Sequence, residues 1–209
     1  GIVIVGDIDV DAVEAKLKAV FADVQKAVNP AERVYYPVAD NKEPIVAIGT
    51  DKEVDDPSIE VYFKQDATPD SEKNNVGYLA SQYMTSMITS MLNARLSELT
   101  QSANPPFTRA YSSYGNFFVA KTKEALNLSA SSKADGIEKA LKVLLQEAER
   151  ARRFGFTESE YARARANYLQ RLESAYNERE KTKHGSYVRE YVRNFLYAEP
   201  IPGIETEYA

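Results

Sequence analysis

The sequence RAYSSYGNFFVAKTKEALNLSAS, at residues 109–131, decides the fold class. Its first part, residues 109–119, is rich in Tyr and Phe, which favour β-strands. In its second part, residues 126–130, Leu and Ala at even positions alternate with polar side chains, which indicates a strand with one buried face. The short link at residues 121–124 predicts a hairpin between the two strands. This stretch therefore predicts an antiparallel sheet.

Three further segments have strand character. Residues 2–5 and 45–50 are short, β-rich apolar runs, and residues 59–63 alternate between apolar and polar side chains. Apolar residues recur at helical spacing over residues 10–24 and 71–100, which predicts two amphipathic helices, the first capped by Asp9. The prolines in the sequence Asn-Pro-Pro-Phe at 104–107 end the second helix, because proline has no amide proton to donate.

A tight corner between two further helices is predicted around residue 155. Gly155 favours the backbone conformation that ends a helix. Thr157 with Glu160 has the spacing of a capping box that starts the next helix. Asp135 with Glu138 has the same spacing and predicts the start of the preceding helix. After residue 160 the helical pattern runs into a charged stretch that reaches residue 183, and a shorter helix is predicted at 187–196.

The order of these elements predicts an α+β fold, in which an antiparallel sheet carries helices packed on one face. Prolines at positions 30, 37 and 44 lie in a polar segment without periodicity, which indicates an ordered linker. We therefore predict a boundary there, with residues 1–40 as a strand, helix and linker of one domain and residues 41–209 as a second α+β domain. The chain starts inside an apolar run without Met, so we expect it to be part of a longer polypeptide.

Composition argues against several classes of function. The chain has 209 residues, of which 44% are hydrophobic, which is enough for a core. Its net charge of -5 has the wrong sign for binding a phosphate backbone. Charged residues interrupt every apolar run before it reaches the ~20 residues of a membrane-spanning helix. We expect neither a nucleic-acid partner nor a membrane span.

Metal-ligating residues are scarce. A zinc site nearly always includes several nitrogen or sulfur ligands, whereas this chain has one His, His184, and no Cys. The H-x-x-E-H and G-x-S-x-G motifs and the glycine-rich phosphate loops are missing from the sequence. The 31 acids would allow a glycosidase pair, but at that number proximity in sequence carries little information. We expect no catalytic, cofactor-binding or metal-binding residue here, and a surface position for His184.

Two features have both a functional and a structural interpretation. Four aromatic residues of the predicted hairpin could line a peptide groove, although packing in the core is the commoner role of such residues. They are Tyr111, Tyr114, Phe117 and Phe118. The mixed charges over residues 163–183 fit either a salt-bridged solvent face or a surface that meets another domain.

Several short sequence segments, taken in order, resemble those of the insulinase (pitrilysin) type of zinc metallopeptidase, especially its long bacterial members. The early ones resemble the strand and helix that close the zinc-bearing first domain of that family, then its linker and the start of its second domain. The later ones resemble the end of the long helix in the second domain and its helical corner. These segments are VIVGDID at 3–9, residues 30–44, TDKE at 50–53, MLNARLSEL at 91–99, NPPF at 104–107 and 149–160.

The resemblance implies a ferredoxin-like α+β half of a peptidase, namely the second, non-zinc domain with the tail of the first. In the family, the zinc ligands and the general base precede the strand that resembles residues 2–5, so no family catalytic residue falls on this chain. A family Arg and Tyr that help to bind substrate belong to the last domain. Arg95, Arg109 and Tyr111 lie in a loosely comparable region of this chain. The insert at 104–107, however, breaks the correspondence between the two sequences, so the resemblance implies no substrate-binding role for these three residues.

The resemblance implies that this domain helps to shape the enzyme and does not take part in the catalytic chemistry. The domain would help to wall a chamber that holds an extended peptide substrate, with other domains of the same polypeptide as its partners and zinc in the full-length protein only. The family's long members imply an exported, periplasmic location, with which the lack of Cys is compatible. Two alternatives remain open at this point: an assembly protein of the same fold that has lost peptidase activity, and an unrelated α+β binding module.

Overall fold

The computed structural model describes residues 1–54 and 56–208. The chain forms two units, one made of residues 1–34 and 172–208 and the other of Tyr35–Arg171. Short 3-10 turns lie at Asp70–Glu72 and Arg179–Lys181. The helices are α1 (Val10–Val20), α2 (Val76–Thr100), α3 (Ile137–Phe154), α4 (Glu158–Asn177), α5 (His184–Tyr197) and α6 (Ile204–Tyr208), and the strands are β1 (Ser58–Asp66), β2 (Arg109–Asn116) and β3 (Lys123–Ser131).

An antiparallel sheet organises the unit Tyr35–Arg171. Strand β3 lies in the middle, with β1 and β2 on either side, in the order β1-β3-β2. The register pairs Val61 with Leu128 on one side and Ser112 with Leu128 on the other. The hairpin predicted at residues 109–131 is thus confirmed as the β2–β3 pair. Helices α2 and α3 pack against these strands, which confirms the α+β class.

The core lies between the sheet and the two helices. Leu92 and Leu96 of α2, Leu144 of α3 and Leu128 of β3 belong to one buried cluster, each with at most 2% of its surface exposed. Phe107, from the Asn-Pro-Pro-Phe sequence before β2, joins the same cluster. Burying each large apolar side chain stabilises the fold by roughly 1.5–3 kcal/mol. The proline-containing insert therefore also delivers an aromatic ring to the core.

The corner between α3 and α4 has the predicted chemistry. Gly155 ends α3 at a φ of 65°, a conformation that is unstrained only for glycine, and its amide donates to Ala151 O. Thr157 N donates to Glu160 Oε2 at 2.7 Å, and Glu160 N donates to Thr157 Oγ1 at 3.3 Å. These reciprocal bonds are the capping box expected at the start of α4. Both predictions are confirmed.

The second predicted capping box is wrong. Gly136, not Asp135, is the N-cap of α3, and no side chain caps the helix there. The helix starts one residue later than predicted, so Glu138 lies at its second position instead of the third. From that position its carboxylate cannot complete the reciprocal pair of bonds with the residue at position 135.

Residues 2–5 and 45–50, both predicted as strands, lie outside the sheet. A strand requires a partner to which its amide and carbonyl groups bond. In the described part of the chain, the sheet consists of β1, β2 and β3. Residues 45–50 expose Ile45, Val46 and Ile48, each with more than three quarters of its surface in solvent.

Capping groups explain where two helices begin. The Asp9 side chain accepts from Ala12 N, as predicted, and α1 starts at Val10 but ends at Val20 and not at residue 24. The Asn75 side chain accepts from Tyr78 N at 2.9 Å. This bond starts α2 at Val76, later than the predicted residue 71.

Two other elements are shorter than predicted for equally local reasons. Phe118 has a φ of 52°, which is incompatible with an extended strand, so β2 stops at Asn116 instead of continuing to 119. Helix α4 stops at Asn177 and does not extend to 183, since the Arg179 side chain donates to Tyr176 O at 2.8 Å and satisfies a carbonyl of the last turn.

The other unit contains the ends of the described chain. Helix α6, which was not predicted, begins after Gly203, whose carbonyl accepts from Thr206 N. The rings of Tyr176 and Tyr208 stack with centroids 4.7 Å apart, and Arg179 pairs with Glu205 at 3.4 Å. These contacts attach α6 to the end of α4.

Candidate functional site

His184 is the histidine that could have served as a metal ligand or a catalytic base. His184 is the first residue of α5, and its Nδ1 lies near Gly6. Among residues 1–54 and 56–208, no group of three or more His, Cys, Asp or Glu side chains could hold a metal ion. None of the helices in these residues is long and apolar enough to cross a membrane.

Arg95 is held by an ion pair in the protein interior and not presented at the surface. Its Nε donates to Glu160 Oε1 at 2.5 Å, and its Nη2 donates to Glu160 Oε2 at 2.9 Å and to Gly155 O at 3.0 Å. The guanidinium also lies 4.5 Å from the centroid of the Phe156 ring. The charged pair leaves only 8% and 14% of the two side chains exposed. Arg95 thus binds α2 to the α3–α4 corner.

Glu160 is the anionic partner of this pair and also the residue that caps α4. Its hydrogen bonds with Arg95, and then with the Thr157 backbone and side chain, lower the pKa of the carboxyl to about 2. The carboxylate therefore stays ionised at every pH at which proteins are usually handled. Arg95 therefore has a structural role, which is to hold the start of α4 against α2.

The two faces of the sheet differ in what covers them. Side chains of Val61, Ala110 and Leu128 point to α2 and α3 and pack in the core. Successive residues of a strand point to opposite faces, so the residues between them form the other face. We call this the helix-free face. It includes Glu60, Tyr62, Lys64, Arg109, Tyr111, Ser113, Gly115, Lys123, Ala125, Asn127 and Ser129.

The four aromatic residues of the hairpin separate between the two sides of the sheet. Tyr111 belongs to the helix-free face and is half exposed. Tyr114 shares the side of Ser112, whose hydroxyl donates to Thr89 O on α2. The Tyr114 hydroxyl donates to Glu124 Oε2 at 2.6 Å, and burial together with this bond raises the pKa of Tyr114. Tyr114 thus lies on the helix-packed side of the sheet.

Phe117 and Phe118 form an aromatic cluster with Tyr62 at one end of the helix-free face. The Tyr62 ring lies 5.5 Å from Phe117 and 5.0 Å from Phe118, and the two Phe rings are 4.8 Å apart. Tyr62 donates its hydroxyl to Glu60, which raises the pKa of Tyr62 to about 12. The phenol therefore stays neutral near pH 7. Position in sequence suggested Phe117 and Phe118, but not Tyr62, which comes from β1.

A cavity of about 240 Å³ opens beside this cluster. Its lining is made entirely of uncharged residues from the three strands and the β2–β3 turn. They are Tyr62, Ser113, Tyr114, Gly115, Asn116, Phe118, Ala125 and Asn127. The cavity depends on cross-strand neighbours, which sequence reasoning did not identify.

The segment Tyr35 to Asp40 is attached to the ends of the strands. Lys123 Nζ, on a side chain that is only 6% exposed, donates to Asp40 Oδ1 at 2.6 Å and to Asp66 Oδ1 at 2.7 Å. Both bonds raise the pKa of Lys123, and the pKa of Asp40 is lowered by the same contact. Lys64 Nζ donates to Ala39 O at 2.9 Å. The end of the predicted linker is therefore ordered by side chains more than twenty residues away.

Comparison with known proteins identifies the family. A model of the Peptidase M16 inactive domain matches residues 2–168, and the chain belongs to this family. The resemblance to the insulinase type is thereby confirmed. A zinc protease PQQL-like protein of Arabidopsis thaliana is 28% identical over 207 residues, which are 99% of this chain and 18% of that protein.

Two solved structures share the fold. The periplasmic protease PqqL from Escherichia coli matches with a TM-score of 0.79 and 21% identity, over 97% of this chain and 22% of that one. A predicted insulinase family protease from Yersinia pestis matches with a TM-score of 0.76 and 12% identity, over 97% of this chain and 43% of that one. The chain thus spans about a fifth of the length of the first two relatives.

Proposed function

We propose that this chain is a non-catalytic domain of an insulinase-type zinc endopeptidase, in which it helps to form the chamber that holds the peptide substrate. The observation that carries the proposal is the match of residues 2–168 to the inactive domain of the family. The composition supports the non-catalytic part, because one His and no Cys leave too few ligands for a hydrolytic zinc ion.

The zinc site of the complete polypeptide would lie in another domain. The relatives support this arrangement, since they are more than twice as long as the chain and are all named as proteases. We propose that residues 1–40 complete a preceding domain and that residues 41–209 form the domain proper. Its partners are then the other domains of the same polypeptide and an extended peptide substrate.

The proposed location is the periplasm or another exported compartment. Its support is the periplasmic protease PqqL, which shares the fold. The location can be tested with a fluorescent fusion of the complete polypeptide. The measurement is whether the fluorescence is found in the released periplasmic fraction.

Zinc content and peptidase activity, each measured on two proteins, test the proposed function. The complete polypeptide should hold tightly bound zinc and cleave a quenched fluorescent peptide library, and 1,10-phenanthroline should abolish the cleavage. The 209-residue chain alone should hold no stoichiometric zinc after dialysis and cleave nothing. Tight stoichiometric zinc in the chain alone would disprove the non-catalytic assignment.

The same measurements separate the proposal from an assembly protein of the same fold. A complete polypeptide that lacks H-x-x-E-H, binds no zinc and cleaves no peptide would be such an assembly protein. The presence of H-x-x-E-H elsewhere in the complete polypeptide would favour the peptidase, and its absence would favour the assembly protein.

A further inference from the structure

The outer edge of β2 is closed in its middle by a side chain. Successive residues of a strand direct their amide and carbonyl groups alternately to its two sides. The bond from Phe117 N to Lys123 O therefore places the backbone groups of Ser112 on the side away from β3. There Ser112 N donates to Asn93 Oδ1 at 2.6 Å, and Asn93 Nδ2 donates to Ser112 O at 3.0 Å. The side-chain amide of Asn93 thus takes the place of a neighbouring strand.

Two hydrogen bonds at the ends of β1 fix which of its backbone groups face outward. Pro57 O accepts from Ser132 N, and Ala67 N donates to Thr122 O. By the same alternation, the odd-numbered residues of β1 direct their amide and carbonyl groups to β3, and the even-numbered residues direct theirs away from it. In residues 1–54 and 56–208 no strand lies on that outer side of β1.

The open edge of β1 is regular enough to accept another strand. It keeps a single register with β3 from Ser58 to Asp66 and contains neither proline nor glycine. Natural sheets protect such an edge with a bulge, a proline or a lysine. Lys64 is the lysine of β1, and it protects the edge only against a strand that has no acidic residue to place opposite it.

The sequence of β1 supplies such an acidic residue itself. When two copies of β1 lie antiparallel about a two-fold axis at Tyr62, Glu60 of each copy lies directly opposite Lys64 of the other. Opposite charges at facing positions of antiparallel strands attract each other. Moving the register by two residues would instead bring Glu60 opposite Asp66, where like charges repel. The charges of β1 therefore favour the register centred on Tyr62.

The other side of β1 adds an apolar contact. Val61 and Phe63 point to the helix-packed side of the sheet, and Phe63 leaves 46% of its surface exposed. In the register centred on Tyr62, Phe63 of each copy faces Val61 of the other. They form a pair without backbone hydrogen bonds, in which facing side chains lie closest. Pairing therefore covers part of the exposed Phe63 ring.

We propose that two copies of this chain join through the outer edges of β1, antiparallel about a two-fold axis at Tyr62, to form one continuous sheet. The interface is isologous, since the same strand supplies both halves. The outward amide and carbonyl groups of one β1 bond to those of the other, and Glu60 and Lys64 form an ion pair on each side of the axis. The inference depends only on the sheet and is independent of the proposed function.

Sedimentation velocity of the 209-residue chain measures the association. The parent chain should form a reversible dimer whose fraction rises with concentration. Glu60→Lys and Lys64→Glu each place like charges opposite one another twice, and each should weaken dimerisation at least about tenfold. Glu173→Lys makes the same charge change at an exposed position of α4, outside the sheet, and should dimerise like the parent chain. Circular dichroism verifies that each variant is folded.

Mixing two variants tests the register itself. In a mixture of Glu60→Lys and Lys64→Glu, one strand carries two positive charges at positions 60 and 64 and the other carries two negative charges. A mixed dimer therefore has two attractive pairs, and it should form about as readily as the parent dimer. The double variant Glu60→Lys/Lys64→Glu should also dimerise, since it exchanges the two charges within each strand.

Amide hydrogen exchange followed by NMR locates the contact. In the dimer the amides of Glu60, Tyr62 and Lys64 should exchange slowly, because each donates to the second copy. Dilution, or the substitution Glu60→Lys, should make them exchange rapidly. The amides of the odd-numbered residues of β1 should stay protected in both states, because they bond to β3.

Several results would overturn the proposal. These are a parent chain that stays monomeric up to about 1 mM, a dimer that Glu60→Lys does not weaken, the absence of a mixed dimer, or slow exchange at positions 60, 62 and 64 in a monomer. Slow exchange in a monomer, of the 209-residue chain or of the complete polypeptide, would mean that another segment of the same polypeptide covers the edge. None of these results bears on the proposed function, which is tested separately by zinc content and peptide cleavage.

Discussion

Replacing Arg95 by Met removes the ion pair that joins α2 to the α3–α4 corner. The substitution keeps the apolar stem of the side chain in place but deletes two hydrogen bonds to Glu160 and one to Gly155 O. Breaking a buried ion pair by removing one partner costs about 3–5 kcal/mol. Glu160 keeps its bonds to the Thr157 amide and hydroxyl, so we expect a loss at the lower end, about 3 kcal/mol.

Urea unfolding followed by far-ultraviolet circular dichroism measures this loss, since the chain contains no Trp for a fluorescence signal. The matched control is Arg152→Met, which deletes an ion pair to Glu149 on an exposed part of α3. Exposed pairs contribute little, so the control should unfold at the same urea concentration as the parent chain. Equal midpoints for Arg95→Met and Arg152→Met would refute the reasoning.

The same pair makes a definite contribution to the pH dependence of stability. The pKa of Glu160 is lowered on folding from 4.5 to about 2, so the unfolded chain binds more protons between these values. The stabilisation is therefore complete above about pH 4.5 and is lost as the pH falls through about 2. Its full size is roughly 3 kcal/mol. In Arg95→Met the fall in stability from pH 5 to pH 3 should be smaller than in the parent chain, and an unchanged fall would contradict the assignment.

Three further predictions concern the core, the corner and the linker. Leu96→Ala, at a side chain with no exposed surface, should lower the free energy of unfolding by about 2–5 kcal/mol in the same urea assay. Gly155→Ala should destabilise by about 1 kcal/mol or more because of its positive φ, whereas Gly49→Ala should not. Lys123→Met should release the segment ending at Asp40 and speed trypsin cleavage at Lys42, as followed by mass spectrometry; an unchanged cleavage rate would show that these bonds do not hold the segment.

Features coded by neighbouring residues were predictable from the sequence. Gly155, Thr157 and Glu160 act within a few positions of one another, and the corner that they form was predicted correctly. The hairpin of β2 and β3 was predictable for the same reason, as its two strands are joined by a short turn. The capping box at 135–138 failed because an error of one residue in the start of a helix changes which side chains can reach its amides.

Features that join distant residues were not predictable. Arg95 meets Glu160 across 65 positions, and Lys123 meets Asp40 across 83 positions. Nothing in the local sequence distinguishes the buried Arg95 and Lys123 from charged residues that stay on the surface. The prediction of strands at 2–5 and 45–50 was wrong for a related reason. An apolar, β-rich pattern shows that a segment favours the strand conformation, but a strand also needs a neighbouring strand with which to form hydrogen bonds. The cavity was missed because Tyr62 and Gly115 lie on different strands.

The exposed segment at residues 45–50 has a practical consequence for anyone who concentrates this protein. Ile45, Val46 and Ile48 are largely in solvent and lie outside the sheet, and an exposed aliphatic segment that is not paired in a sheet is a template on which a second chain can add. Short, uncharged, β-prone runs of this kind nucleate fibrils. We expect turbidity that grows with protein concentration and is suppressed by Val46→Lys.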